Sequence, residues 1–211
     1  QYRVSRAASE RDPYSPSSAV QLDPSVVGRI NELSKASAVR RISVITAVCA
    51  LVVRGLSGRG SEVVLDFPVS RRVRPESKTL PGMFAGVVPL VLTAPPTASV
   101  GDFSRHVDMR IRELMKHQRY PVLELERGNG PLGLSQTTDR VVVNFIPSRL
   151  TLNLGDVPAT ATYTNLAPVG DLVLVFLGAG DQLFLLTAGP RANFPKVDVR
   201  NIARRLERVL E

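Results

Sequence analysis

The stretch Pro81-Gly82-Met83-Phe84-Ala85-Gly86-Val87-Val88-Pro89-Leu90 decides how this chain is organised. Its second half leads into a run of β-branched and apolar residues, which predicts a strand over 86–93. Upstream, residues 62–67 have the same character, and Pro68 is predicted to end that strand. The polar residues 71–79 are predicted to form a loop. Residues 62–93 are therefore predicted to form two strands with a loop between them.

Four helices are predicted around these strands. Asp23-Pro24 starts the first, because aspartate is a good N-cap residue and proline suits the first helical turn. Residues 43–56 are apolar nearly all round, which is typical of a helix inside a core. Ser99 and Asp102 resemble a capping box that starts a third helix, and the last helix is predicted over 197–210.

Further strands are predicted along the second half of the chain. Residues 140–146 form one of them, and 171–177 with 182–188 form a hairpin. The stretch 152–165 is weakly patterned, with one possible edge strand near Ala161. This order of elements predicts an α/β fold, α+β in its layering, in which helices pack against a mixed β-sheet.

Composition and charge exclude several classes of function. The 211 residues are 44% hydrophobic, enough for one domain with a core, and no apolar run reaches the roughly 18 residues that cross a bilayer. The net charge of +8 is spread among acids without aromatic interleaving, so nucleic-acid binding is not expected. Cys49 is the single cysteine and lies in an apolar run far from both histidines. We therefore predict an inert buried thiol, no metal site and a cytoplasmic protein.

Three motifs, in this order and spacing, resemble the condensation domain of non-ribosomal peptide synthetases. Asp66-Phe67-Pro68-Val69-Ser70-Arg71-Arg72 resembles a family stretch that ends in p-v-a-g-R. The stretch from Gly82 to Leu90 resembles G-x-F-v-N-t-x-p-l, and His117-Gln118-Arg119-Tyr120-Pro121 resembles h-Q-d-y-P. A poorer match links Arg127-Gly128-Asn129-Gly130-Pro131-Leu132 to the family motif R-d-x-s-r-N-P-L.

The resemblance extends over nearly the whole chain. It implies that residues 18–211 form the C-terminal subdomain of a condensation domain, with a chloramphenicol-acetyltransferase-like fold, and that 1–17 lead in from a missing N-terminal subdomain. Two departures stand out: Gly86-Val87 replaces the usual Asn-Thr, and Arg119-Tyr120-Pro121-Val122-Leu123 replaces the usual Asp-Tyr-Pro-Phe-Glu. Such differences indicate a divergent member, a specialised acyltransferase or a domain whose activity has decayed.

The resemblance also implies a reaction. Condensation domains join carrier-bound acyl and aminoacyl groups into an amide, and a His-His-x-x-x-Asp-Gly motif in their N-terminal half assists the attack. Neither His106 nor His117 has a neighbouring histidine, so this motif is absent from the printed sequence. We therefore predict no catalytic residue here and no activity of this chain alone. The expected partners are the N-terminal subdomain, carrier domains with their phosphopantetheine arms and adjoining synthetase modules; no cofactor is expected to bind directly.

The positions that match the family motifs are predicted to contribute to a substrate tunnel shared by the two subdomains. By resemblance, the residues of this tunnel wall are Phe84, Gly86, Val88, Gln118 and Asn129. Gly86 would widen the tunnel, whereas Phe84 and Val88 could equally be core residues of a strand. Arg72 matches the arginine that pairs with the aspartate of the histidine motif across the interface; the alternative is a loop arginine on a basic surface.

Two other functions remain open from the sequence. The chain could be half of a related acyltransferase of the same superfamily that forms an ester, in which case the acceptor is a hydroxyl group. It could also be a non-catalytic module that keeps the fold to dock carrier domains. The upstream histidine motif and the choice between amine and hydroxyl acceptors would separate these alternatives.

Overall fold

A six-stranded mixed sheet forms the centre of the structure. The computed structural model describes residues 15–57, 60–82, 84–95, 97–119, 141–147, 151–160, 171–178, 180–189, 194 and 197–211. The strands of this sheet are β1 (Val20–Gln21), β2 (Glu62–Ser70), β3 (Ala85–Thr93), β4 (Val141–Ile146), β7 (Leu172–Leu177) and β8 (Phe184–Ala188). Their order is β1-β8-β7-β4-β2-β3, in which β4 pairs in parallel with both β2 and β7 and the other pairs are antiparallel. The predicted fold class, a mixed sheet packed by helices, is confirmed.

The sheet separates two hydrophobic layers, because alternate residues of its strands point to opposite faces. The helices, which share the larger layer with one face of the sheet, are α1 (Pro24–Ala36), α2 (Arg41–Ser57), α3 (Val100–Lys116) and α4 (Val199–Leu210). Leu174 of β7 belongs to this main core, whereas its neighbours Val173 and Val175 belong to a smaller cluster on the other face. A strand directs successive side chains to opposite faces, so both faces of β7 are buried.

Local capping signals in the sequence predicted where the helices begin. Asp23 caps α1 and accepts a hydrogen bond from the backbone N–H of Ser25 at 2.8 Å. The Ser99 hydroxyl accepts from the backbone N–H of Asp102 at 3.0 Å, which starts α3. At the other end of α3, His117 is the C-cap residue and its N–H donates to the carbonyl of Leu114. The predicted starts of both helices are confirmed.

The prediction that Pro68 ends β2 is wrong, because the strand continues to Ser70. Pro68 lies opposite Val87 in β3, between residue pairs that exchange the ladder hydrogen bonds. The N–H that proline lacks would point away from β3, beyond the two residue pairs that join β2 to β4. Proline at this position therefore removes no hydrogen bond of the β2–β3 ladder.

The weakly patterned stretch holds two short strands where one was predicted. Strands β5 (Thr151–Leu154) and β6 (Val157–Thr160) form an antiparallel hairpin with its own two-stranded sheet. Ala161, near which an edge strand was predicted, lies outside the described residues. The side chains of Leu154 and Val157 are exposed at the hairpin turn, so the burial pattern on which strand prediction relies is missing here.

A buried carboxylate joins α2 to α3. The Asp108 side chain, 7% exposed, accepts hydrogen bonds from the Ser43 hydroxyl at 2.6 Å, from Arg40 Nε at 3.0 Å and from Arg112 Nε at 2.6 Å. Burial raises the pKa of Asp108, but these hydrogen bonds outweigh it and hold the pKa at about 2. The ionised carboxylate therefore stabilises the contact between the two helices.

This cluster predicts acid sensitivity. The pKa of Asp108 in the folded protein is about 2 against an ordinary 3.8, so its stabilisation is present above about pH 4 and is lost as the pH falls towards 2. We expect the ionised form to contribute about 1–2 kcal/mol, less than the full shift implies, because Arg40 and Arg112 are 47% and 65% exposed. Urea unfolding of the wild type and of Asp108→Asn between pH 6 and pH 2 measures this contribution to the free energy of unfolding. The difference in stability should shrink as the pH falls; a constant difference would contradict the assignment.

Within the described ranges, no single helix is long and apolar enough to cross a bilayer. Only α1 and α2 taken together meet the length and composition criteria, and they are bent by 115° at the break between them.

Candidate functional site

The end of β2 and the start of β3 bring the motif residues together. The two strands pair from Glu62 opposite Thr93 to Ser70 opposite Ala85. The ladder continues one step further, because the N–H of Arg71 donates to the carbonyl of Phe84 at 2.9 Å. Residues that are more than ten positions apart in the chain therefore become neighbours at this end of the sheet.

Arg72 holds the loop between the two strands in place. Its Nη1 donates to the carbonyls of Ser77 and of Leu80, the latter at 2.7 Å, and its Nη2 donates to the carbonyl of Gly82 at 2.8 Å. The guanidinium carbon also lies 4.2 Å from the centre of the Phe84 ring. Such a cation–π contact contributes about 0.5–1 kcal/mol at a partly exposed site. One side chain thus fixes both the loop and the aromatic ring that follows it.

These contacts leave part of the Arg72 guanidinium available. Of its five N–H donors, three bind loop carbonyls, while Nε–H and one N–H of Nη2 make no hydrogen bond in the described structure. No ion pair of Arg72 with an acid occurs among the described residues. The predicted pairing with an aspartate of the N-terminal subdomain stays a prediction, and the loop contacts are an additional role.

Gly86 makes room for the side chain of Arg71. A Cβ atom at position 86 would lie 2.4 Å from Arg71 Nε and 2.7 Å from Cζ, closer than real Cβ contacts. The Arg71 guanidinium therefore lies directly over the glycine backbone. The space that a side chain at position 86 would use is filled by Arg71 and is not left empty.

The remaining predicted tunnel residues have different environments. Val88 is buried in the main core opposite Phe67. Gln118, which follows α3, donates from Nε2 to the carbonyl of Met115 at 3.0 Å, while its Oε1 is buried without a hydrogen-bond partner. Asn129 lies outside the described residues. The structure thus brings Arg72 and Phe84 into contact, whereas among the described residues the Gln118 side chain hydrogen-bonds to the last turn of α3.

No set of general bases or nucleophiles assembles in the part of the chain that the structure describes. His117 Nε2 lies 3.5 Å from Glu113 Oε1 on the exposed side of α3, and His106 stacks on Phe103. Cys49 is fully buried, so the predicted burial of the thiol is confirmed, and this burial raises the pKa of the thiol. Among these same residues, no group of three His, Cys, Asp or Glu side chains could hold a metal ion.

Comparison with known proteins establishes the family. The sequence model of the family described as "Condensation domain" matches residues 5–137, more than half of the chain. The chain belongs to the condensation-domain family. This confirms the predicted family.

Condensation-domain relatives give the extent of the similarity. The chain is 27% identical over 151 residues to the "Dimodular nonribosomal peptide synthase" of Bacillus subtilis (strain 168), covering 72% of this chain and 6% of the relative. It is 29% identical over 129 residues to the "Isonitrile lipopeptide synthase" of Streptomyces coeruleorubidus, covering 61% of this chain and 9% of that protein. The chain therefore spans less than a tenth of each of these relatives.

A solved condensation domain shares the fold. The structure titled "First condensation domain of the calcium-dependent antibiotic synthetase in complex with substrate analogue 2a" matches with a TM-score of 0.76 and 23% identity. The match covers 93% of this chain and 44% of the solved chain. The assignment of the chain to one subdomain, the C-terminal one, is consistent with this coverage.

Arg71 is the residue of this site that the sequence reasoning missed. The condensation-domain pattern p-v-a-g-R has glycine at the position of Arg71, and the pattern G-x-F-v-N has asparagine at the position of Gly86. This chain has arginine at position 71, where the family has glycine, and it has glycine at position 86 on the facing strand, where the family has asparagine. The signal was present in the motif comparison, but only the pairing of β2 with β3 shows that the two departures are in contact.

Proposed function

We propose that this chain forms one wall of the substrate tunnel of a condensation domain that joins carrier-bound acyl and aminoacyl groups into an amide. The observation that carries the proposal is the contact of Arg72 with both the 77–82 loop and Phe84, at the positions that match the family motifs. The contact makes the loop and the ring one unit with a fixed position. A fixed wall suits a reaction in which two tethered substrates must meet in one geometry.

In this proposal the chain positions the substrates and the N-terminal subdomain supplies the chemistry. The described residues offer a buried thiol and two separate histidines, none of them arranged as a nucleophile with its base. The His-His-x-x-x-Asp-Gly motif would therefore come from the other subdomain. Phosphopantetheine arms of carrier domains would deliver both substrates to the tunnel between the two subdomains.

Arg72 would connect the two subdomains. Its two unused N–H donors suit a carboxylate oxygen pair, and the loop carbonyls already fix the orientation of the guanidinium. The aspartate of the histidine motif would be that carboxylate. The same side chain would then hold the wall on one side and the catalytic loop on the other.

Amide formation by carriers loaded with an acyl and an aminoacyl group tests the proposal directly. The isolated 211-residue chain should form no amide above background, whereas the intact natural protein should form it. Amide formation by the isolated chain would contradict the proposed division of roles. An intact protein that transfers the acyl group only to a hydroxyl acceptor would favour the ester-forming alternative, and carrier binding without any transfer would favour the docking module.

Replacing Arg72 by Ala in the intact protein is expected to lower the rate of amide formation at least about tenfold, and Arg72→Lys should not restore it. Lysine carries the charge but lacks the planar fork that serves the three carbonyls and a carboxylate together. Limited proteolysis of the 73–82 loop should accelerate in both variants. Arg74→Ala is the matched control, because Arg74 is an exposed arginine of the same loop whose side chain makes none of these contacts. Full activity and an unchanged cleavage rate in Arg72→Ala would contradict the role of Arg72.

A further inference from the structure

The guanidinium of Arg71 has no partner in the described structure. Its Nε is buried and makes no hydrogen bond, and no hydrogen bond between described residues involves its other two guanidinium nitrogens. A buried donor without an acceptor costs free energy, because it has lost its contact with water. Most arginines can avoid this cost by turning to solvent, but the Arg71 side chain lies against the backbone of Gly86.

Neighbouring charges do not neutralise this cation. Arg72, the next residue, directs its donors to carbonyl groups and its positive face to the Phe84 ring. No acid forms an ion pair with either arginine in the described ranges. Two cations without an ion-pair partner among the described residues therefore flank the start of β3.

Gly86 is what allows the guanidinium to take this position. Any larger residue would place a Cβ atom within 2.4 Å of Nε and 2.9 Å of Nη2. The clash involves the flexible end of the arginine, so a side chain at position 86 would move the cation away without distorting the strand. Gly86 and Arg71 thus form one unit, in which the glycine sets the position and the arginine provides the charge.

We propose that Arg71, positioned by Gly86, binds an anionic oxygen group of a ligand that enters alongside Phe84. The ligand class is a pantetheine-linked acyl group, and this part of the inference rests on the proposed tunnel function. The anion is either a carboxylate on the acyl group or the phosphate of the pantetheine arm. Both present the oxygen pair that a guanidinium binds with charge-assisted hydrogen bonds.

Three non-hydrolysable ligands distinguish these sources in the intact natural protein. A butyryl-pantetheine analogue carries no charge, a succinyl-pantetheine analogue adds a carboxylate, and a butyryl-phosphopantetheine analogue adds a phosphate. Isothermal titration calorimetry at low salt should give at least about tenfold tighter binding for one charged ligand than for the neutral one, which corresponds to about 1.4 kcal/mol. The ligand with this advantage identifies the anion.

Two variants of different kinds test the position of the charge. Arg71→Gln removes the charge, and Gly86→Ala keeps the charge but displaces it. Both should lose the preference for the charged ligand, so that within each variant the charged and the neutral ligand bind with affinities that differ by less than about twofold. Arg74→Gln, which removes a nearby exposed cation, should keep the preference and shows that net charge is not the cause.

The outcomes separate this inference from the proposed function. Equal binding of all three ligands by the wild type, or a preference that survives Arg71→Gln, overturns the anion site and leaves the tunnel proposal intact. A preference that survives Gly86→Ala overturns the role of Gly86 as the positioning residue. Failure of the folded wild type to bind any of the three ligands overturns both proposals.

Discussion

Gly178→Ala is expected to lower the free energy of unfolding by about 3–5 kcal/mol, the sum of backbone strain and overpacking. Gly178 follows β7 with φ of +140°, a backbone conformation that side chains rarely allow. A Cβ atom here would lie 2.2 Å from the carbonyl oxygen of Gln182 and 3.2 Å from Cα of Leu183. Both contacts are with backbone, which cannot turn away as a flexible side chain can.

The structural change in Gly178→Ala should extend beyond the turn. The N–H of Gly178 donates to the carbonyl of Ile146 at the end of β4, and Arg41 of α2 donates to the carbonyl of Gly180 at 2.8 Å. A displaced turn would therefore disturb β4, β8 and the start of α2 together. Chemical denaturation followed by circular dichroism measures the loss.

Gly28→Ala is the matched control for this substitution. Gly28 lies within α1, and a Cβ atom there would meet no other atom within 4 Å. Alanine is a better helix former than glycine, so this variant should gain about 0.5–1 kcal/mol. Equal effects of the two substitutions, or a loss below about 1 kcal/mol in Gly178→Ala, would contradict the backbone argument.

Replacing Asp108 by Ala is expected to cost about 2–4 kcal/mol of stability at pH 7. The substitution removes three hydrogen bonds to a carboxylate and leaves the buried Ser43 hydroxyl without its acceptor. Arg40 and Arg112 are 47% and 65% exposed and can turn to water, which limits the cost. Urea denaturation at pH 7 measures the change.

Glu113→Ala controls for the loss of an ion pair as such. Glu113 lies on the same helix, and its carboxylate binds Lys116 Nζ at 2.7 Å with both side chains at least half exposed. Exposed pairs of this kind contribute little, so we expect a loss much smaller than that of Asp108→Ala. A comparable loss in the two variants would show that burial of Asp108 is not the source of its effect.

Part of the candidate site could be predicted from the sequence. The motifs around Arg72 and Phe84 indicated the family, and the family match supports it. The contact between these two residues follows from their positions on either side of one loop. The contact of Arg71 with Gly86 could not be predicted in the same way, because it depends on the pairing of β2 with β3, which brings these two positions together.

The sequence by itself determined the local elements of this protein. Asp23 and Ser99 predict helix starts because a cap uses only atoms within a few residues, and the apolar run of α2 predicts burial by composition alone. These signals need no knowledge of the rest of the chain. They were sufficient for the fold class and the order of the main elements.

Only the tertiary structure decided what depends on distant partners. Pro68 continues a strand because its missing N–H points away from β3, which depends on register. Asp108 meets Ser43 across 65 residues, and Arg71 reaches Gly86 on the facing strand. The physical reason is common to all three. The free energy of a missing N–H donor, of a buried charge or of an absent side chain depends on the neighbouring atoms, and these are brought together only by the fold.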